Sequence, residues 1–313
     1  MLLITQTALN LGFQYALVAM ALFLSYRILD IADLTTDGCF VLGAAVSVSM
    51  AAAGHPLLAI PAAMLAGACA GFVTAFLQTR LGVPAILAGI ITNTGLYTVN
   101  FLALGRRSNA SLLKVDTLFT LLRDAIPADS PLRAAVGGVG DWYELLLSAG
   151  ITILAGVLLY LFLGTRLGLS IRATGDNRDM VRASSVNPSY TVTVGLCISN
   201  ALTALSGAVV GQGQKTADIN MGTGIVVIGL ACLIIGETVL GRRTLGKGIV
   251  AVMVGAVIYR FIYAIVLYSK VVPIECLKLF VAILVALAIA APSIKEGVGL
   301  EKRKLTALRK GGR

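Results

Sequence analysis

The sequence predicts an all-α membrane protein, a polytopic bundle of about 8–10 transmembrane helices in one domain over residues 1–313. Of its 313 residues, 58% are hydrophobic and only 13% are charged, whereas a soluble domain carries about a quarter charged residues. The mean hydropathy is +0.91. The 34 glycines agree with this class, because glycine is frequent in membrane helices and lets them pack closely.

Apolar runs of spanning length predict nine helices, at about residues 8–29, 38–53, 57–78, 84–104, 145–164, 190–211, 223–240, 248–269 and 277–294. The second and seventh runs are short. They adjoin the polar stretches DLTTDG at 33–38 and NMGTG at 220–224. Short or interrupted spans are typical of backbone that lines a cavity within the protein. We therefore expect two broken helices.

Positive charge predicts the orientation. Lys and Arg are concentrated in the links 164–189 and 241–247 and in the tail 295–313, which fall on one side of the predicted spans. The positive-inside rule makes that side cytoplasmic and places the loops 105–144 and 212–222 outside. The first of these loops is itself basic, and we expect a short amphipathic helix in it at about 112–122.

Other features of the sequence exclude several functions. The net charge of +10 follows membrane topology, so we expect a lipid membrane and no nucleic acid as partner. No GxxxxGK[ST] loop is present, so any ATPase must be another chain. The five scattered cysteines and the single histidine provide neither a metal site nor a catalytic triad. We expect a transport subunit rather than an enzyme.

The segment 164–190 is a long polar interruption between apolar runs. Gly175 should give flexibility, and Asp176 and Asn177 are good N-cap residues for a helix of about two turns over 177–185. Helical spacing places Arg178, Arg182 and Ser185 on one side and Met180 and Ala183 on the other. Such a helix could bind in a groove of a partner protein, or the segment could be a basic loop that only fixes topology.

Polar residues recur at helical spacing within two spans. They are Asn93, Tyr97 and Asn100 in the fourth span, and Ser199 and Thr203, with Asn200 adjacent, in the sixth. Such side chains either bond neighbouring helices or line a polar path, and two stripes in one chain favour a substrate path. We expect the 33–38 break to add Asp33 and Thr35 to that path.

Two charged residues lie within predicted spans. Glu237, near the cytosolic end of its span, could pair with Arg242 or Arg243. Arg260 lies deeper and needs a partner inside the bundle, for which Asp218 or a backbone carbonyl is a candidate.

Several segments resemble one protein family in order along nearly the whole chain. They are DLTTDGCFVLGAA at 33–45, VPAILAGIITNTGLYTVNFLALG at 83–105, IRATGDNRDMVRASSVN at 171–187, SNALTALSGAVVGQGQ at 199–214, IVVIGLACLIIGETVLG at 225–241, Tyr259-Arg260, and LKLFVAILVALAIAAP at 277–292. The chain resembles permease subunits of ABC importers in the branched-chain amino acid permease superfamily. It is most similar to a branch in which some members are linked to aromatic amino acid uptake.

The resemblance implies partners and roles. The segment 171–187 would be the coupling helix that docks on a cytosolic ABC ATPase, with Gly175, Asp176, Asn177, Met180, Arg182 and Ala183 as its contacts. A second permease copy, forming a homodimer, and an extracytoplasmic substrate-binding protein would complete the importer in the bacterial inner membrane. ATP would bind to the partner ATPase, so this chain needs no cofactor. Where the family commonly has Gly-Ile-Asn, this chain has Ser185-Val186-Asn187.

Together these features predict the permease subunit of an ATP-driven importer for a small polar solute, most simply an amino acid. A nucleoside or another small nutrient is an alternative. An ion-coupled secondary transporter is a second alternative, but it would require mid-membrane carboxylates and inverted repeats.

Overall fold

The structure is a computed structural model that describes residues 2–113, 115–125, 142–241 and 244–269, together with residues 279, 282, 283 and 286. Most of the predicted ninth span, and all of the tail 295–313, lie outside the described residues.

The described chain is predominantly helical, as predicted. Its helices are α1 (Leu2–Leu22), a π-helical continuation (Phe23–Ile28), α2 (Thr36–Ala52), α3 (Pro56–Thr79), α4 (Ala85–Ala103), α5 (Leu118–Ala125), α6 (Trp142–Leu163), α7 (Arg166–Asp176), α8 (Arg178–Ala183), α9 (Pro188–Gly213), α10 (Ile225–Leu240) and α11 (Leu245–Ser269). Six of these are long and apolar enough to cross a membrane: α1 with its continuation, α3, α4, α6, α9 and α11.

Helices α2 and α10 are the two short spans, with 17 and 16 residues. The chain preceding α2 is not helical, and Asp30 there has a φ of 54°. Helix α2 begins inside the bundle, because Gly38 in its first turn packs against Asn93 and Leu96 near the middle of α4. The prediction of a broken second helix is therefore confirmed.

Helix α9 lies at the centre of the bundle and is buried along most of its length. It approaches α2 and α3 with backbone against backbone. A methyl group at Gly43 would overlap the carbonyl of Ala204, and one at Gly207 would overlap the carbonyl of Phe40. Small residues at such positions allow membrane helices to associate closely. These contacts fix α2 against the central helix.

A short two-stranded antiparallel sheet joins the two loops that the charge pattern places outside. Strand β1 (Asn109–Ser111) pairs antiparallel with β2 (Thr216–Asp218), so both loops lie on the same side of the bundle. The helix expected at about 112–122 begins later, at Leu118. The early part of that prediction is wrong, because the chain there continues from the strand, with Leu112 donating its backbone N–H to the carbonyl of Lys215.

Candidate functional site

The polar segment 164–190, which we name the coupling segment after the role expected for it, contains two helices rather than one. Helix α7 ends at Asp176 and α8 follows at once, with Asn177 between them in an extended conformation. The Asn177 side-chain oxygen accepts hydrogen bonds from the backbone N–H groups of Asp179 and Met180, each 3.0 Å long. Asn177 is thus the N-cap of α8, as predicted. Helix α7 was not predicted, although Thr165 caps its first turn.

Only one side chain of α8 is buried. Val181 is 2% exposed, while Met180, Arg182 and Ala183 are exposed. The side of α8 that carries Arg182 and the side that carries Met180 and Ala183 are therefore both exposed. Val181 lies between them and holds α8 to the bundle. The helix ends at Ala183, and Ser185, two residues later, adopts a left-handed conformation with a φ of 61°. This conformation favours glycine, the residue that the resembling family commonly has at this position.

Gly175 is not a flexible joint. It lies within α7, where an added methyl group would overlap the carbonyl oxygen of Ile28. Its lack of a side chain serves close packing between α7 and the end of the π-helical turn, so the prediction of flexibility is wrong. The contact connects the coupling segment directly to the C-terminal end of α1 and its π-helical continuation.

An ion pair lies beside this contact. Arg27 Nε is 3.2 Å from Glu237 Oε1, with the carboxylate buried and the arginine 44% exposed. The pairing of Glu237 that we expected with Arg242 or Arg243 concerns residues outside the described part. The ion pair lines a polar cavity of about 410 Å³ together with Arg172 and Asp176 from α7. The coupling segment and the C-terminal ends of α1 and α10 therefore meet around one cavity.

The predicted path residues Asp33, Thr35 and Asn200 form a buried hydrogen-bond network. Asn200 Nδ2 donates to Asp33 Oδ2 at 2.7 Å, and the Thr35 N–H donates to Asp33 Oδ1 at 2.9 Å. The Thr35 and Thr74 hydroxyls are 2.8 Å apart. Because buried carboxylates and amides need such partners, the network explains these residues as structure that holds the 29–35 turn against α9 and α3.

Ser199 and Thr203 are also fully buried. The Ser199 hydroxyl donates to the carbonyl of Ala21 at 2.8 Å, and the Thr203 hydroxyl donates to the carbonyl of Ser199 at 3.2 Å. Both hydroxyls are thus used within the packed interior, one of them between helices. Ser199 and Thr203 do not line the cavity at the α4 stripe, and a path that joins the two stripes stays a prediction.

Asn93, Tyr97 and Asn100 do line a cavity. It has a volume of about 360 Å³, and further lining residues come from the start of α2 and from Ile219, Asn220, Gly222 and Thr223. Asn100 Nδ2 also donates to the carbonyl of Gly38 at 3.0 Å. We name this the Asp37 cavity, since Asp37 contributes its carboxylate to the lining. A role of these three residues in transport remains a prediction.

Asp37 connects the two short helices. Its carboxylate oxygens accept hydrogen bonds from the backbone N–H groups of Gly224, at 3.1 Å, and Val226, at 2.9 Å. Gly224 has a φ of 86° and no side chain with which to cap α10, so Asp37 of α2 replaces the missing cap. Its charge also lies at the positive end of the α10 dipole. The sequence signal for this role was the absence of a capping side chain at Gly224.

We expect Asp37→Ala to destabilise the protein by about 1–3 kcal/mol, because two N–H groups at the start of α10 lose their acceptor. Thermal unfolding of the purified protein in detergent should show a lower midpoint. The matched control is Asp124→Ala, which removes an exposed carboxylate from α5. Equal midpoints for the two variants would contradict the capping role.

Arg260 has an aromatic partner. Its guanidinium carbon lies 3.6 Å from the centre of the Tyr15 ring and 5.6 Å from that of Tyr263. Neither Asp218 nor any other carboxylate of the described residues forms a salt bridge with it. The candidate partner Asp218 is therefore wrong, and a cation–π contact with Tyr15 stabilises the guanidinium instead.

The comparisons with known proteins agree with this architecture. A family model described as branched-chain amino acid transport system, permease component, matches residues 4–291. A tyrosine transport system permease protein of Clostridioides difficile is 32% identical, with 79% of this chain and 77% of the relative covered. An uncharacterised protein of Rickettsia prowazekii is also 32% identical, over 91% of this chain and 96% of its own length.

More distant relatives extend the comparison. A ribose import permease protein of Haemophilus influenzae is 24% identical, with 83% of this chain and 74% of the relative covered. A solved structure of a metal-chelate-type ABC transporter in an inward-facing conformation has a TM-score of 0.50 and 16% identity, and covers 94% of this chain and 85% of its own. That likeness supports the fold. The chain belongs to the branched-chain amino acid transport system permease family: it is an ABC transporter permease subunit and a multi-pass integral protein of the inner membrane.

Proposed function

We propose that this chain is the permease of an ATP-driven importer of amino acids. In this proposal it pairs with a second copy of itself, docks on two cytosolic ATPase subunits and receives its solute from an extracytoplasmic binding protein. The tyrosine transport permease among its relatives supports the choice of an amino acid. The ribose import permeases make a sugar the first competitor to test.

The exposed coupling segment is the observation that carries the proposal. A six-residue helix with exposed apolar, acidic and basic side chains stands on one buried anchor, Val181. Exposed Met180 beside charged residues is suited to a protein groove, since methionine adapts to irregular apolar surfaces. The segment also adjoins the Arg27–Glu237 ion pair through Gly175 and Arg172. Movement of a docked ATPase would therefore reach α1 and α10.

The Asp37 cavity suits a small polar solute. One wall carries amide and hydroxyl groups from α4, and the other is formed by the meeting ends of α2 and α10. A volume of about 360 Å³ lies in the range of small-molecule sites. The adjoining face of α4 exposes Ile86, Ile90 and Tyr97. In our proposal a second copy covers this face and closes the path.

Reconstitution tests the proposal. The full chain is incorporated into liposomes with the ATPase and the binding protein encoded by neighbouring genes, and uptake of radiolabelled solutes is followed. We expect ATP-dependent accumulation of an amino acid, with L-tyrosine tested first, and none when the ATPase carries an inactivating substitution in its P-loop. Ribose and a nucleoside serve as competitors. Uptake that persists with the inactive ATPase would refute the importer, and uptake of ribose alone would refute the amino acid.

A further inference from the structure

A second cavity lies on the other side of the α10 N-terminus from Asp37. It has a volume of about 400 Å³ and is lined by Tyr15 of α1, by Thr223 and Ile228, and by Tyr259, Arg260 and Tyr263 of α11. We name it the Arg260 cavity. Thr223 lines both cavities, so the turn that precedes α10 separates them. Arg260 lies about 22 Å along α11 from Leu245, at 1.5 Å per residue, and thus deep within the membrane span.

The polar atoms of this cavity are incompletely satisfied. Arg260 is only 8% exposed, and its Nε has no hydrogen-bond acceptor among the described residues. The Tyr259 hydroxyl, on a side chain that is 1% exposed, also lacks a partner in that part of the chain. The Tyr15 ring covers one face of the guanidinium. Because the N–H donors point outward in the guanidinium plane, the stacked ring does not satisfy them.

Asp37 and Glu237, at the two ends of α10, already have partners among the described residues. Asp37 accepts hydrogen bonds from Gly224 and Val226 on the opposite side of the turn, and Glu237 pairs with Arg27 at the cytoplasmic end. An arginine that has no carboxylate partner among the described residues is costly to bury. The cavity therefore has the electrostatics of an anion site.

We propose that the Arg260 cavity binds the carboxylate of a small molecule with an apolar body. The Arg260 guanidinium provides planar N–H donors that match a carboxylate, and the Tyr259 hydroxyl supplies one more donor. The remaining wall, including Tyr15, Tyr263 and Ile228, is aromatic and aliphatic, which suits an apolar side chain. This deepens the proposed function and rests on it for the identity of the natural ligand, an apolar amino acid on its way through the permease.

Ligand-observed NMR tests the binding site directly. The full chain is purified into nanodiscs of phosphatidylcholine, and saturation-transfer difference spectra are recorded with 3-phenylpropanoate, which carries a carboxylate and an aromatic ring. The same measurement is made with 2-phenylethylamine, which keeps the ring and replaces the carboxylate by an amine. We expect saturation transfer to the carboxylate only. Equal transfer to both probes, or to neither, would overturn the proposal.

Two variants and one control assign the binding to Arg260. Arg260→Gln should weaken 3-phenylpropanoate binding about tenfold or more, the loss expected for a charge-assisted hydrogen bond. Arg260→Lys, which keeps the charge but loses the planar donors, should weaken it less. Arg80→Gln removes an exposed arginine at the far end of α3 and should change nothing. Unchanged binding in Arg260→Gln would overturn the assignment.

The thermal unfolding midpoint separates binding from a structural role. Arg260→Gln removes a buried charge that has no carboxylate partner among the described residues, so we expect the midpoint to stay the same or to rise. A marked fall in the midpoint together with full probe binding would show that Arg260 only holds α11 to Tyr15, and would refute the site.

Two further measurements are needed. One distinguishes a lipid headgroup from a small-molecule carboxylate as the anion, and the other distinguishes failure of this inference from failure of the proposed function. Adding phosphatidylglycerol to the nanodiscs should leave probe binding unchanged. If the added lipid abolished probe binding, the site would be one for a lipid headgroup and the proposal would be refuted. If reconstituted Arg260→Gln imports the solute as wild type does, this inference fails and the importer stands. If the wild type binds 3-phenylpropanoate through Arg260 but imports no amino acid, the proposed function fails and the site stands.

Discussion

Met180→Glu combined with Ala183→Glu should reduce ATP-dependent uptake about tenfold or more, because two carboxylates would be buried without partners in the ATPase contact. Both side chains are exposed on α8, so the substitutions leave the packing of the bundle unchanged. The anchor Val181 and the N-cap Asn177 are also retained. We expect the purified variant to keep its unfolding midpoint and to lose co-purification with the ATPase.

The matched control for this variant is Leu81→Glu. Leu81 is 62% exposed and lies in the turn after α3, on the cytoplasmic side by the predicted topology but outside the coupling segment. This variant should retain both uptake and co-purification. If the α8 double variant behaved like the control, the coupling role of α8 would be refuted. If both variants lost the ATPase, docking would extend beyond the coupling segment.

The fold class and the helix positions could be predicted from the sequence because a membrane span depends on local composition and length. The two short helices α2 and α10 could be predicted for the same reason, since their apolar runs are too short and adjoin polar stretches. Asn177 could be predicted as an N-cap because its side chain bonds backbone N–H groups only two and three residues further along the chain. Each of these features depends on neighbours in the chain, which the sequence displays directly.

The partners of buried polar residues could not be predicted, because they come from distant parts of the chain. Asp33 and Asn200 are separated by 167 positions, and Asp37 and Val226 by 189. A polar stripe on a helix has the same periodicity whether it lines a path or bonds a neighbouring helix. The structure distinguishes the two cases: Ser199 contacts the backbone of Ala21, whereas Tyr97 lies at a cavity.

Glycine illustrates the same limit. Gly175, Gly207 and Gly150 are identical as residues, but of these three only Gly175 and Gly207 lie against another backbone. A Cβ added at Gly150 would meet no other atom within 4 Å. The chain contains 34 glycines, so composition predicts close packing in general without identifying where it occurs. The pair Gly207 and Gly211 has the small-xxx-small spacing of helix contacts, and both residues do pack against α2.

Gly207→Ala should therefore be among the most damaging single substitutions in the chain. The added methyl group would overlap the carbonyl oxygen of Phe40, and neither backbone can move without separating α2 from the central helix α9. Overpacking of this kind costs about 1–3 kcal/mol or more. Because α2 carries Asp37, its displacement would also remove the cap of α10. We expect a lower unfolding midpoint, poor recovery of monodisperse protein and loss of uptake.

Gly150→Ala provides the control with the same chemical change. Gly150 lies within α6, and no atom would meet its added methyl group within 4 Å. Replacing a helical glycine by alanine in open space stabilises a helix by up to about 1 kcal/mol, so this variant should unfold at the same temperature as wild type or slightly higher. The contrast isolates the contact with Phe40 from helix propensity. If both variants unfolded at the wild-type temperature, the α2–α9 interface would have to be looser than the backbone contact at Gly207 requires.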